Sequence, residues 1–391
     1  MIAKLALEDG CVFTGRSFGA PGTRTGEVVF NTSMTGYQEI LTDPSYCGQI
    51  VTMTFPLIGN YGVNPGDFES VRPFLSGMVV KELPTRPSNF AATGSLADLL
   101  ADHGIMGLCD VDTRALTRRV RMQGALRGVL STEILDDVQL VNMASQADAM
   151  VGANLVERVS PEAEAQWEEP LRTCEDDGGS SECGAGSIDR RANSIKGGAV
   201  SSGGSASRRH IVAIDCGIKH NILRYLVSSG ARVTVVPSGT SAGRIKEHEP
   251  DGILVGNGPG DPGAVTQTID ALRELIGTYP IFGICLGHQM LALALGADTY
   301  KLKFGHHGAN HPVMNHQTDR VEITAQNHGF AVDVASLTRV GGIVTHTNLN
   351  DESLEGFAHP DKQLMAVQFH PEAGPGPNDS TYLFETFLES I

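Results

Sequence analysis

At 391 residues with a formal net charge of −16, the chain is long enough for two hydrophobic cores and too acidic for a nucleic-acid partner. Aromatic residues make up only 6% of it, and no apolar run approaches bilayer length, which excludes a membrane partner. Its seven cysteines are odd in number and lack C-x-x-C spacing, the pattern of reduced cytosolic thiols rather than of a disulfide frame or zinc site.

The first ten residues, Met1 to Gly10, carry neither a signal-peptide nor a transit-peptide pattern, so a cytoplasmic location is expected. Residues 1–155 read as a smaller, β-rich α+β domain. Gly26–Phe30, Gln49–Phe55 and Ser76–Lys81 are strand-like, and Leu96–His103 reads as a helix followed by a strand at Gly107–Val111. Asp112 caps a helix carrying Arg114, Arg118, Arg119 and Arg121, which Gly124 ends. A solvated face is the expected role of such arginines. Residues 156–209 read as a linker, because 178–207 hold 16 Gly or Ser with little apolar clustering. Cys174 and Cys183 fall beside or inside it, at a spacing that matches no metal motif.

From residue 210 to 391 strands and helices alternate. Ile211–Asp215, Arg232–Val236, Gly252–Val255 and Ile281–Ile284 are buried-strand candidates, separated by helical stretches at 218–227 and 264–277. Such alternation implies βαβ units and a doubly wound, mostly parallel sheet, an α/β fold whose ligands bind beyond the strands' carboxyl ends. Two features sit at such ends. Gly256-Asn-Gly-Pro-Gly-Asp-Pro-Gly263 is glycine-rich, but Pro259 and Pro262 argue against a dinucleotide fingerprint. It reads as a rigid loop offering backbone N–H groups, including one side of an oxyanion hole.

The second feature is Gly283-Ile-Cys-Leu-Gly287, a strand, a sharp turn and a helix with Cys285 at the apex. Glycine on each side suits a nucleophile elbow, and a thiol at a helix N-terminus feels the positive end of the helix dipole. A buried core cysteine would look similar. The balance is tipped by Leu364–Phe369, another buried-strand candidate that runs into His370-Pro371-Glu372. A nucleophilic cysteine needs a base, and the base needs an orienting group. His370 and Glu372, two apart on a strand end, would point the same way. Lys303–Pro312 contains His306, His307 and His311, but no neighbouring Asp, Glu or Cys completes a set, so no metal is expected and a structural loop is. Thr324–Phe330 reads as a substrate-contacting loop after a strand.

Three segments together resemble the signatures of class I glutamine amidotransferases: Gly256–Pro262, Gly283-Ile-Cys-Leu-Gly-His-Gln289 and Gln368-Phe-His-Pro-Glu372. Val29–Ser45, Thr54–Gly62, Phe304–Gly308 and Gln326–Phe330 are similar, more narrowly, to the small, glutamine-hydrolysing subunits of carbamoyl phosphate synthetases. The resemblance covers nearly everything but residues 170–209. It implies Cys285 as nucleophile, His370 as base and Glu372 as its orienter. It implies L-glutamine contacts at Ser45, Gly258, Gly260, Leu286, Gln289, Asn327, Gly329 and Phe330, and therefore a site between the domains. It further implies no cofactor in this chain, and a large-subunit partner that holds ATP and Mg and makes carbamoyl phosphate for arginine and pyrimidine biosynthesis. The alternatives are an amidotransferase subunit of another synthase and a catalytically inactive glutamine-binding scaffold.

Overall fold

The computed structural model describes residues 1–172 and 208–391. The Gly/Ser-rich stretch at 178–207, with Cys174 and Cys183, lies outside the described residues. Two sheets organise the remainder. The first is a closed barrel of β1 (Ile2–Leu7), β2 (Val12–Gly19), β3 (Thr23–Asn31), β4 (Gln49–Met53), β5 (Gly77–Val79), β6 (Met106–Cys109) and β7 (Leu126–Ser131), in the order β1-β2-β6-β5-β4-β3-β7. Alternation along the strands covers both faces. Leu5, Val28, Ile50, Val79, Leu108 and Leu130 fall in one buried cluster. Their neighbours Val29, Val51 and Met78 join Tyr37, Leu41 and Tyr46 in another. The arginine helix forms as expected over Thr113–Gln123, capped by Asp112 and ended by Gly124. Its Arg119 pairs with Asp9.

The second sheet has ten strands: β8 (Ala165–Trp167), β9 (His210–Asp215), β10 (Arg232–Pro237), β11 (Gly252–Val255), β12 (Ile281–Ile284), β13 (Thr299–Asn315), β14 (Arg320–Val332), β15 (Ile343–Asn348), β16 (Leu354–His359) and β17 (Leu364–Val367). Their order is β14-β13-β15-β16-β17-β12-β11-β9-β10-β8. The central run β17-β12-β11-β9-β10 is parallel, and antiparallel strands extend it on both sides. Helices over Thr266–Leu275 and Leu286–Leu295 cover one face, and those over His220–Ser228 and Tyr382–Glu389 the other. This is the doubly wound arrangement. No helix among the described residues is long and apolar enough to cross a membrane.

The structure differs from the sequence reading in three places. Residues 303–312 and 324–330 are not loops; they lie within the long antiparallel hairpin β13–β14, whose pairing has shifts between Lys301 and His306 and between Gly308 and His311. Bulges there break the alternation that a period-two reading needs. The proposed linker 156–209 contains β8, which pairs with β10, and Ser160, whose hydroxyl donates to the Asp215 carbonyl. Finally, β1, β2, β7, β15 and β16 are not among the strands the sequence predicts, because each mixes polar and apolar residues without clean alternation.

Candidate active site

Cys285 stands between β12 and the helix Leu286–Leu295, with φ 55° and ψ −103°. That region is sparsely populated for a side-chain-bearing residue and costs roughly 1–3 kcal/mol. Here the cysteine itself, not a flanking glycine, takes the strained conformation. The glycines serve close packing instead. A Cβ on Gly287 would lie 2.2 Å from the Val255 carbonyl oxygen, and one on Gly283 would lie 2.9 Å from Gly287 backbone. The Cys285 N–H donates to the Val367 carbonyl at 2.8 Å, tying the elbow to β17. Its thiol donates to the Asn327 carbonyl at 3.6 Å.

His370 lies past the end of β17, where its N–H donates to the Ala325 carbonyl of β14 at 2.9 Å. A turn, rather than strand alternation, then brings Glu372 back to it. His370 Nδ1 and Glu372 Oε1 are 2.7 Å apart, and both residues are buried. Lys219 Nζ lies 2.8 Å from the same Glu372 oxygen. Burial works against the charged form of Glu372, but Lys219 and His370 outweigh it and hold the carboxyl down at about 2. Burial also works against a charged His370; the Glu372 charge and Cys285 outweigh it and raise the imidazole to about 10. His370 Nε2 itself is buried and makes no hydrogen bond among the described residues. The arrangement is a buried thiol, a base and a doubly anchored carboxylate.

A cleft of about 360 Å³ opens on Cys285. Ser45 and Gln49 from the barrel half line it together with Gly258 and Gly260 from the loop after β11, Gln289 from the helix after Cys285, and Lys301, Asn327, Gly329 and Phe330 from β13 and β14. All the sequence-predicted contacts except Leu286 therefore meet there. The Leu286 side chain is buried in the core, and its place at the start of the helix leaves only its backbone beside Cys285. His370 lines a second cavity, of about 270 Å³, with Asp43, Lys219 and Asn327.

Barrel and sheet are pinned together by polar contacts at this cleft. Asp43 accepts from the Ser45 N–H at 2.9 Å and from Asn327 Nδ2 at 2.7 Å. Asn257 Nδ2 donates to the Ser45 hydroxyl at 2.9 Å, while Asn257 Oδ1 accepts from the Lys219 N–H at 3.0 Å. Lys301 pairs with Glu27 of the barrel at 2.9 Å.

The histidine-rich strand also acquires partners that sequence proximity hides. His306 Nε2 lies 2.8 Å from Asp351, and its Nδ1 lies 3.5 Å from Glu355. Burial opposes its charge, but these carboxylates raise His306 to about 9. His306, His328 and Glu355 are buried, with possible ligand atoms within 4.8 Å of one another. The expectation that no carboxylate completes a set near His306 is thus corrected. Both Glu355 oxygens already accept amide hydrogens from Asn348 and Gln326, and both His328 nitrogens face Phe330 and Gln326 oxygens. The set is accounted for as a hydrogen-bonded charge cluster. His307 instead faces the cleft, 3.0 Å from Asn327 Oδ1.

Residues 212–390 match the family described as glutamine amidotransferase class-I, and residues 5–130 match the carbamoyl-phosphate synthase small chain, CPSase domain. A carbamoyl phosphate synthase small chain from Rhodopirellula baltica is 51% identical over 389 residues, covering 100% of this chain and 96% of that protein. This chain belongs to the carbamoyl phosphate synthase small chain family. A small chain from Syntrophotalea carbinolica is also 51% identical, covering 100% of this chain and 97% of that one. The Arabidopsis thaliana small chain, named chloroplastic, is 50% identical over 389 residues and covers 99% of this chain and 85% of its own length.

Within this small-chain fold, the sequence reading missed Asp43, Asn257, Lys219, Lys301 and Gln368. Asp43 had a readable signal, since Asp-Pro-Ser favours the turn in which its side chain accepts from the Ser45 N–H. Lys219 had none. Its partner lies 153 positions later, across the sheet.

Proposed function

We propose that this chain hydrolyses glutamine and delivers ammonia to a large synthetase subunit, with Cys285, His370 and Glu372 as the catalytic group. His370 Nε2 takes the Cys285 proton, and the thiolate attacks the γ-amide carbon. Backbone N–H groups of Leu286 and Gly258 hold the oxyanion, each worth roughly 3 kcal/mol in comparable sites. The imidazolium returns its proton to the leaving nitrogen, the C–N bond breaks, and ammonia departs from a γ-glutamyl thioester. Water deprotonated by His370 then attacks the thioester, releasing glutamate and restoring the thiol. Glu372, anchored by Lys219, fixes the imidazole tautomer.

The observation that carries this reading is the strained Cys285 at the floor of a cleft built by both sheets, backed by the buried His370–Glu372 pair. Ser45, Gly258, Gly260, Gln289, Asn327, Gly329 and Phe330 would contact glutamine. The chain's own chemistry calls for no cofactor. ATP and Mg would reside on the large subunit, which would join the ammonia to bicarbonate for arginine and pyrimidine biosynthesis. The unpaired state of the five described cysteines agrees with a cytoplasmic setting.

The test is assembly with a candidate large subunit. Cys285→Ala and His370→Ala should abolish glutamine-dependent carbamoyl phosphate formation and retain synthesis from ammonium salt. Residual glutamine hydrolysis by Cys285→Ala would remove the nucleophile assignment. Loss of the ammonia-dependent reaction in an intact complex would overturn the division of labour. A chain serving another synthase, or an inactive scaffold, would not support the glutamine-dependent reaction.

A further inference from the structure

The cleft on Cys285 has a buried floor and a half-buried mouth. Ser45, Cys285, His307 and Asn327 lie buried on the floor side, whereas Met150, Gly258, Gly260, Lys301 and Gly329 are each half-buried. Three of those five are glycines and offer no side chain. Lys301 is drawn aside, its Nζ 2.9 Å from Glu27 of the barrel. Met150 is therefore the apolar side chain that stands at the mouth.

Its place there is not explained by the packing of either half. None of the five buried hydrophobic clusters among the described residues includes Met150. Its methyl end lies instead against the backbone of Gly48, where an added Cβ would come 3.9 Å from Met150 Cε and 2.9 Å from Leu155. Gly48 leads directly into Gln49, which lines the same cleft. The turn that carries Met150 is tied down on its other side as well. The Ala153 N–H donates to the Met150 carbonyl at 3.2 Å, and the Ala153 carbonyl accepts from the Asp261 N–H at 3.0 Å. The Gly152 N–H donates to Asp261 Oδ2 at 2.8 Å. Asp261 follows Gly260 in the glycine loop, so Met150 is held between that loop and the barrel.

We propose, resting on the glutaminase reading, that Met150 is a specificity-determining residue that confines the cleft to free glutamine and excludes glutamine carried in a peptide. The γ-amide carbon has to reach Cys285 at the floor, which puts the α-carbon about 4 Å nearer the mouth. A free amino acid ends there. A peptide continues, and its next α-carbon lies about 3.8 Å further on, in the space that Met150 fills. Methionine is unbranched and fills irregular gaps, so it closes the mouth over a ligand of the right length. An extra residue forced against it carries the cost of overpacking.

The test measures kcat/KM of the full-length chain for hydrolysis of the side-chain amide in L-glutamine, glycyl-glutamine and glutaminyl-glycine. The unsubstituted chain should prefer glutamine to both peptides by about 100-fold, the upper part of the range for an overpacked side chain. Met150→Ala should narrow the preference over at least one peptide to within about tenfold. Met150→Leu, nearly equal in volume, should leave it unchanged. In parallel, Cys285 is alkylated with iodoacetamide and with N-benzyl iodoacetamide and followed by peptide mass. The bulky reagent should gain about tenfold on the small one in Met150→Ala only. A preference unchanged in Met150→Ala overturns the proposal, as does its equal loss in Met150→Leu or an unsubstituted chain that accepts the peptides. If no chain hydrolyses glutamine while the alkylation ratio shifts as expected, the glutaminase reading falls and the size barrier at Met150 stands. If glutamine is hydrolysed and the ratio does not shift, the size barrier falls alone.

Discussion

Replacing Asp43 with alanine tests whether the barrel shapes the substrate site or merely adjoins it. Asp43 is buried and makes two strong contacts, to Asn327 Nδ2 at 2.7 Å and to the Ser45 N–H at 2.9 Å. A third, from Asn257 at 3.4 Å, adds little. A hydrogen bond to a charged acceptor contributes about 1.5–3 kcal/mol. Contacts that share one acceptor do not add fully, so the total loss should be about 3 kcal/mol. If about 2 kcal/mol of that falls on the placement of Ser45 and Asn327, kcat/KM for glutamine drops about 30-fold, chiefly through KM. Asp43→Asn, which keeps one acceptor oxygen, should lie between. The assay is steady-state glutaminase kinetics, paired with the rate of Cys285 alkylation by a neutral haloacetamide. The alkylation rate should hold, because Asp43 holds Asn327 only by its side chain, whereas the Cys285 thiol meets the Asn327 backbone carbonyl, which the strand pairing of β14 positions. A folded Asp43→Ala protein with wild-type KM would refute the reasoning, and so would a parallel fall in alkylation.

Two further outcomes follow from the same geometry. Glu372 is held low, so its contribution to stability is present above its ordinary value near 4.5 and is lost as pH falls through about 2. His370 is raised, so its contribution is complete below its ordinary value near 6.5 and is lost as pH rises through about 10. The stability difference between wild type and Glu372→Gln should therefore peak near pH 5–6 and shrink towards pH 10 in denaturant titrations; a flat difference contradicts the pairing. Gly287→Ala should destabilise the protein by about 2 kcal/mol or more and depress activity, because the added methyl carbon would sit 2.2 Å from the Val255 carbonyl oxygen. An unshifted melting curve would show that the elbow has room to relax.

The parallel core was legible because β9, β10, β11 and β12 are short apolar runs buried on both faces, each followed by a helical period. The same local grammar placed Cys285 at an apex. It could not place the hairpin β13–β14, whose histidines and asparagines look like loop chemistry. These polar residues are strand-compatible because each finds a partner across the sheet: His306 meets Asp351, Asn315 meets Glu322, and Gln326 meets Glu355. Burial of a polar residue depends on such distant partners, and no window of sequence contains them. The first part of the expected linker, 156–172, was hidden for a related reason. Ala165–Trp167 is only three residues long and becomes a strand because the edge of β10 is open to pair with it.

The barrel does more than wall one side of the cleft; it caps the helix that begins beside Lys219, behind the His370–Glu372 pair. The helix His220–Ser228 begins beside Lys219 with no side-chain cap of its own. Its first N–H groups are instead satisfied from the barrel side, where the Glu69 carbonyl accepts from His220 at 2.8 Å and the Glu69 carboxylate from Asn221 at 3.0 Å. An acceptor at a helix N-terminus also sits favourably in the helix dipole. Burial raises Glu69 to about 7, with Lys219 opposing and Glu372 adding to the shift. Lys219 pairs with Glu372 at 2.8 Å, and the helix that follows it is held from the barrel side by Glu69. The position of Lys219 sets that of Glu372, and Glu372 sets the tautomer of His370. Docking of the two halves and alignment of His370 are in this way linked through Lys219.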